Sequence, residues 1–284
     1  MKTRIVLTLT LVAALAGCGG GSSSKGRTVV AAFYPLAFAA QQIGGAAIHV
    51  RNLTPPGVEP HDLELSGGDV RTIADADLVL YFGKGFQPSL EDAIDSTSAH
   101  AIDLLDAVAT LAGGAEEHGV DPHVWLDPIR YAATAERIGE ELDRRPAAEQ
   151  FAMRLRALDR EFRSGLSRCE RREIVTSHAA FGYLAERYGL QEVAITGISR
   201  EAEPTPRDLE RAVRQVRAVG ATTVFFETLV SPRLAETVAR EVGARTAVLD
   251  PLEGLTEKEI AAGADYVSVM RENLAALRKA LGCR

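Results

Sequence analysis

Short, continuous apolar runs alternate along this chain with longer stretches in which apolar residues recur every three or four positions. Residues 28–33 (TVVAAF), 49–53, 77–82 and 101–105 read as strands. Between them, a helix is expected over 35–43, stopped by Gly44 and Gly45. A second opens at the capping box Ser66-Gly-Gly-Asp69 and runs through Ile73. The second half repeats the scheme, with strands at 173–176, 192–196, 222–226 and 246–249. Helices follow over 179–187, from Thr205-Pro-Arg-Asp208 to Gly220, and from Ser231-Pro232. A single C-terminal helix is expected from Thr256-Glu-Lys-Glu259 toward Leu281. Uninterrupted apolar strands separated by helices indicate a parallel sheet covered on both faces. The predicted fold class is α/β: two lobes, each a roughly four-stranded parallel sheet flanked by helices.

Phe151, Leu155, Leu158 and Phe162 recur at steps of four, three and four, in a stretch without glycine from Pro146 to Ser164. This predicts one amphipathic helix of roughly 30 Å at 1.5 Å per residue. A helical connector resists bending far more than a coil. The expected layout is thus an N-terminal lobe over 27–145, a rigid linking helix over 146–168 and a C-terminal lobe over 169–284.

The first 26 residues follow a different logic. Lys2 and Arg4 precede an apolar segment, Ile5 to Leu15, too short to span a bilayer, and then Leu15-Ala-Gly-Cys18. Residues 1–17 read as a lipoprotein signal peptide, Cys18 as the lipidation site and 18–26, rich in Gly and Ser, as a flexible tether. Such a leader places the chain outside the cytoplasm, anchored by lipid to the cell membrane or in the periplasm. There, Cys169 and Cys283, the two remaining cysteines, can pair; two free thiols are the alternative. A net charge of -7 with both signs interspersed and no basic stripe argues against nucleic acid.

The candidate chemistry lies in the histidines. His123 sits in Asp121-Pro-His-Val-Trp-Leu-Asp-Pro128, where two Asp-Pro steps stiffen the backbone and Asp127-Pro128 marks a helix start. A core imidazole bonded to backbone would suit this stretch as well. His61 lies past the second strand, His178 ends the first strand of the second lobe, and Asp250 ends its last. All four sit at or beyond carboxyl ends of strands, where open α/β sheets place their ligand crevices. Three imidazoles and a carboxylate, two ligands from each lobe, form a tetrahedral set suited to zinc.

The segments PHDLELSGGD, DPHVWLDP, TSHAAFGYL, FFETLVSP and VLDPLEG together resemble the metal-binding lipoproteins of bacterial ABC importers. These are the zinc and manganese solute-binding proteins called cluster A-I or cluster 9. The resemblance covers nearly all of the chain beyond its leader. It implies two α/β lobes bridged by a long helix, and metal ligation by His61, His123, His178 and Asp250. It further implies one zinc ion per chain, bound as transported ligand, and a monomer that delivers it to the permease and ATPase subunits of an importer. A metallochaperone is one candidate source of the metal. Manganese members resemble this chain but carry a carboxylate where His178 stands, and imidazole suits zinc better than manganese. Many zinc members carry a long His- and Asp-rich loop before DPH. This chain offers only Glu116, Glu117 and His118 there, better suited to a solvated charged turn than to collecting metal.

Glu64 and Glu227 match family positions and could orient a ligand imidazole through its second nitrogen; Glu227 is also the runner-up fourth ligand. His49 and His100 read as surface or capping residues, and Trp125, Phe181 and Tyr183 as cleft walls or core. An extracytoplasmic zinc hydrolase needs an open coordination position and a general base, and the chain has no HExxH, so no enzyme is expected. A manganese-binding homologue and a metal-binding surface adhesin with a role in cell adhesion are the alternatives.

Overall fold

The computed structural model describes residues 26–113, 119–197 and 206–284. The leader with Cys18, the Glu116 to His118 stretch and the Thr205 cap lie outside the described residues. In the first lobe the elements run β1 (Arg27–Ala31), α1 (Tyr34–Gly44), β2 (Ile48–Asn52), α2 (Gly67–Ala74), β3 (Leu78–Tyr81), α3 (Pro88–Thr97) and β4 (Ala101–Asp103). Then come α4 (Pro128–Glu141) and α5 (Arg145–Gly165). The second lobe follows with β5 (Glu173–Thr176), α6 (Gly182–Tyr188), β6 (Gln191–Ala194), α7 (Pro206–Val219) and β7 (Thr223–Phe226). It ends with α8 (Arg233–Val242), β8 (Arg245–Val248), α9 (Glu257–Ala261) and α10 (Tyr266–Leu281).

Each lobe holds a four-stranded parallel sheet, ordered β2-β1-β3-β4 in the first and β6-β5-β7-β8 in the second. In both sheets the order reverses beside the first strand of the lobe, so adjacent connections leave in opposite directions and open a crevice at the carboxyl edge. The expected α/β class with two parallel sheets holds. Val29, Val30, Leu78, Val79 and Leu80 are fully buried, as continuous apolar strands between helical layers must be.

Helix α5 covers most of the stretch read as the connector, and its buried face includes Ala148, Phe151, Ala152, Leu155, Leu158 and Phe162. Its first half packs on the first lobe, with Phe151 5.7 Å from Phe38 and 5.8 Å from Tyr131. Its second half packs on the other, with Phe162 stacked 5.1 Å from Tyr188. A Cβ at Gly139 of α4 would stand 2.3 Å from the Ala148 Cβ, so only glycine lets the two helices approach this closely. One apolar core runs unbroken through Leu80, Phe151, Phe162, Ile174, Tyr266 and Leu277, from one lobe to the other.

Two elements depart from expectation. Helix α3 has no counterpart in the strand-and-helix pattern; Pro88 at its start and Gln87 before it open it after a turn in which Lys84 and Gly85 both have positive φ. The single helix expected toward Leu281 is two. The Thr256–Glu259 capping box starts α9, Gly263 at φ 78° ends it, and a second box, Asp265–Ser268, starts α10. Cys169 and Cys283 are joined by a disulfide, which fastens the end of α10 to the segment leading into β5.

Candidate metal centre

Four side chains from the carboxyl edges of both sheets meet between the lobes. His61 lies in a 3-10 turn, Pro60–Asp62, after β2. Gln87 donates to the Pro60 carbonyl at 3.0 Å, and Phe86 meets the imidazole edge-on at 4.7 Å. His123 precedes another 3-10 turn, Val124–Leu126, and Asp127 then caps α4 by accepting from the Ile129 N–H. Asp121 Oδ1 accepts from both the backbone N–H (2.9 Å) and Nδ1 (2.7 Å) of His123. His178 follows β5, and its Nδ1 donates to Glu227 Oε1 at 2.6 Å; the Ser177 hydroxyl donates to the same oxygen. These two carboxylates fix the tautomers, leaving Nε2 of each ring to face the centre.

The fourth member is Glu253. Its Oε1 lies 2.9 Å from His123 Nε2, 3.2 Å from His61 Nε2 and 3.5 Å from His178 Nε2. The four ligand atoms all fall within 4.8 Å of one another. A tetrahedron with Zn–N bonds of about 2.0–2.1 Å has edges of about 3.3 Å, so the oxygen-to-nitrogen spacing already has the size of a zinc shell. His123, His178 and Glu253 are buried, and His178 Nε2 makes no regular hydrogen bond. His61 is the most exposed of the four.

Asp250 is not among them, which corrects the ligand expected from sequence. Its Oδ1 accepts from the Leu252 N–H at 2.7 Å and its Oδ2 from the Thr228 hydroxyl at 2.8 Å. Asn273 of α10 bonds both its N–H and its carbonyl. Asp250 thus ties off a tight reversal in which Leu252 takes φ 56°, and that reversal turns Glu253 back into the cleft. Burial pushes the Asp250 carboxyl up to about 6. Of the two carboxylates considered for orienting histidines, Glu227 sits behind His178, whereas Glu64 is exposed at the surface. Asp121 does for His123 what Glu227 does for His178. His100 and His49 are exposed and stand apart from the centre. Trp125 and Phe181 belong to the core, Trp125 beneath His123 at 5.1 Å.

Burial alone would lower the pKa of each imidazole. At His123 the hydrogen bonds and charges of Asp121 and Glu253 overcome it and push the pKa up to about 10. At His178, Glu227 and Glu253 likewise outweigh burial and raise it. At His61 burial prevails, and the value falls below 6.5. Glu253 stays ionised: burial disfavours its charge, but the three imidazoles gathered around it hold its carboxyl well below the usual range. A metal ion must therefore displace the proton held on His123; the shift at His178 adds to that cost and the shift at His61 reduces it. Raising the pH from about 6 to about 8 should tighten zinc binding by at least about tenfold per pH unit, the weight of one expelled proton. Competition titrations across that range check this; an affinity that does not move with pH contradicts the assignment.

The family model of the periplasmic zinc-uptake complex component A, ZnuA, matches residues 29–280. The chain belongs to this family. It is 35% identical to the zinc-binding lipoprotein AdcA of Streptococcus pneumoniae, over 98% of this chain and 60% of AdcA. It thus spans about 60% of the length of that relative. It is 33% identical to the high-affinity zinc uptake system protein ZnuA of Bacillus subtilis, over 94% of this chain and 93% of that protein. Among solved structures, the Zn(II)-bound ZnuA-like domain of S. pneumoniae AdcA superposes with a TM-score of 0.78 at 35% identity, covering 90% of this chain and 99% of the domain. The ZnuA family accounts for the two-lobed α/β fold.

Proposed function

We propose that this chain is an extracytoplasmic zinc-binding protein that delivers one zinc ion per chain to the permease and ATPase subunits of an ABC-type importer. The observation that carries the reading is the set of His61, His123, His178 and Glu253, with Glu253 Oε1 2.9–3.5 Å from the three Nε2 atoms. Three neutral imidazoles favour zinc over the harder manganese, and the one carboxylate balances half of the charge of a divalent ion. Four protein ligands leave no open position for an activated water, which supports carriage rather than hydrolysis. Membership of the ZnuA family and the zinc-binding names of AdcA and ZnuA support the same reading. Residues 1–17 then serve as the signal peptide, lipidated Cys18 as the anchor and 18–26 as the tether. The lobes at 27–145 and 169–284 flank the linking helix at 146–168.

The test is a chelator-stripped preparation of the region from residue 27 onward, loaded and measured by elemental analysis and competitive titration. One zinc per chain, held far more tightly than manganese, is the expected result. Manganese bound as tightly as zinc overturns the reading.

A further inference from the structure

The zinc site draws ligands from both lobes, so its geometry depends on whatever fixes one lobe against the other near His123. Helix α6, which follows His178 in the second lobe, grips the His123 turn of the first at both ends. At one end the Tyr183 hydroxyl donates to the Asp121 carbonyl at 2.6 Å and accepts from the Leu111 N–H at 2.8 Å. At the other, one turn along the same helix face, Arg187 binds the Asp127 carboxylate with both arms: Nε to Oδ1 at 2.8 Å and Nη2 to Oδ2 at 2.6 Å. The Asp127 side chain is fully buried, and Arg187 is only 24% exposed. Between the ends, Gly182 has no side chain where the Asp121 carboxylate needs room: a Cβ there would stand 3.0 Å from Asp121 Oδ2.

We propose that Tyr183 and Arg187 are positioning residues for the metal, bracing the His123 turn against the lobe that carries His178 and thereby setting how tightly zinc is held. The proposal rests on the zinc-carrier reading above. Neither residue touches the metal position. They act through Asp121, whose carboxylate orients the His123 ring, and Asp127, whose carboxylate caps the helix after the turn. If Arg187 is lost, Asp127 keeps Arg130 and the Ile129 N–H as partners, so the cap survives and only the tie across the lobes goes. Among the described residues, the other ion pair across the lobes at this point, Arg130–Glu186, has Glu186 half exposed and holds weakly.

The experiment mixes zinc-loaded protein with excess chelator and follows release, for wild type, Arg187→Ala, Arg187→Lys and Tyr183→Phe. Tyr183→Phe removes the hydroxyl but keeps the ring under the Arg130 guanidinium, so it folds even where Arg187→Ala does not. Arg271→Ala is the control: it deletes an equally two-armed pair, with Glu161, that ties α10 to α5 away from the turn. Release from Arg187→Ala and Tyr183→Phe should be about 10–100-fold faster, the range seen when partners behind metal ligands are lost. Arg187→Lys should fall between, because an ammonium supplies charge without the fork. Arg271→Ala should release at the wild-type rate, and only the brace variants should alter the electronic spectrum of the cobalt-substituted site. Release from both brace variants within about twofold of Arg271→Ala, with unchanged cobalt spectra, overturns the proposal. Wild-type protein that binds no zinc overturns the carrier reading itself, and the brace with it.

Discussion

Replacing Glu253 with alanine should lower zinc affinity by more than about 100-fold, beyond the 10–100-fold typical of residues behind the ligands. Replacing Asp250 should cost less. Among the described residues, Glu253 supplies the only carboxylate oxygen within reach of all three Nε2 atoms. Without it, water fills the fourth position of a three-histidine site and the charge of the ion goes unbalanced. Asp250 works at one remove: it holds the turn that aims Glu253, through Leu252, Thr228 and Asn273. Its loss loosens a ligand rather than deleting one. Glu253→Gln, which keeps an oxygen but drops the charge, should fall between the two. Competitive zinc titration of the three variants at one pH decides the matter. A larger loss for Asp250→Ala than for Glu253→Ala shows that the ligand set has been read wrongly.

The second large effect is on stability. The Cys169–Cys283 disulfide joins residues 114 positions apart. A loop of that length restricts the unfolded chain by up to about 5 kcal/mol in the chain-entropy account, although measured values often fall short. The bridge holds α10, whose Asn273 in turn holds the Asp250 turn. Reduction, or the paired Cys169→Ala, Cys283→Ala change, should lower the melting temperature by roughly 10 °C, at about 2–4 °C per kcal/mol in a chain of this size. Metal-free protein is the proper sample, since bound zinc adds its own stabilisation. A melting temperature indifferent to reduction argues that the C-terminus is held by packing alone.

Local signals carried most of the fold. The boxes at Ser66–Asp69 and Thr256–Glu259 and the Asp127 cap all start helices where their spacing says they should. Three histidines placed after strands do converge. Glu253 was hidden because its direction depends on a left-handed Leu252, a conformation that leucine rarely adopts. Asp250, at the end of the strand, looked the better ligand because strand ends point into crevices. In fact its carboxylate is consumed by the backbone of its own turn. Asp121 was legible only as a stiffening Asp-Pro step; nothing in the sequence says that its oxygen returns to the ring of His123 two residues on. The split between α9 and α10 was missed because Gly263 lies amid alanines that favour helix on either side.

On the proposed carrier reading, the unbroken core through both lobes and α5 has a consequence for any partner that must tell a loaded protein from an empty one. A close-packed interior yields little, so dyes placed on opposite lobes should report nearly the same separation with and without zinc. None of the ion's affinity is then consumed in swinging halves together, and none is available to advertise capture by a change of silhouette. Whatever recognises the filled form must read it by touch, from a few side chains at the lip of the cleft.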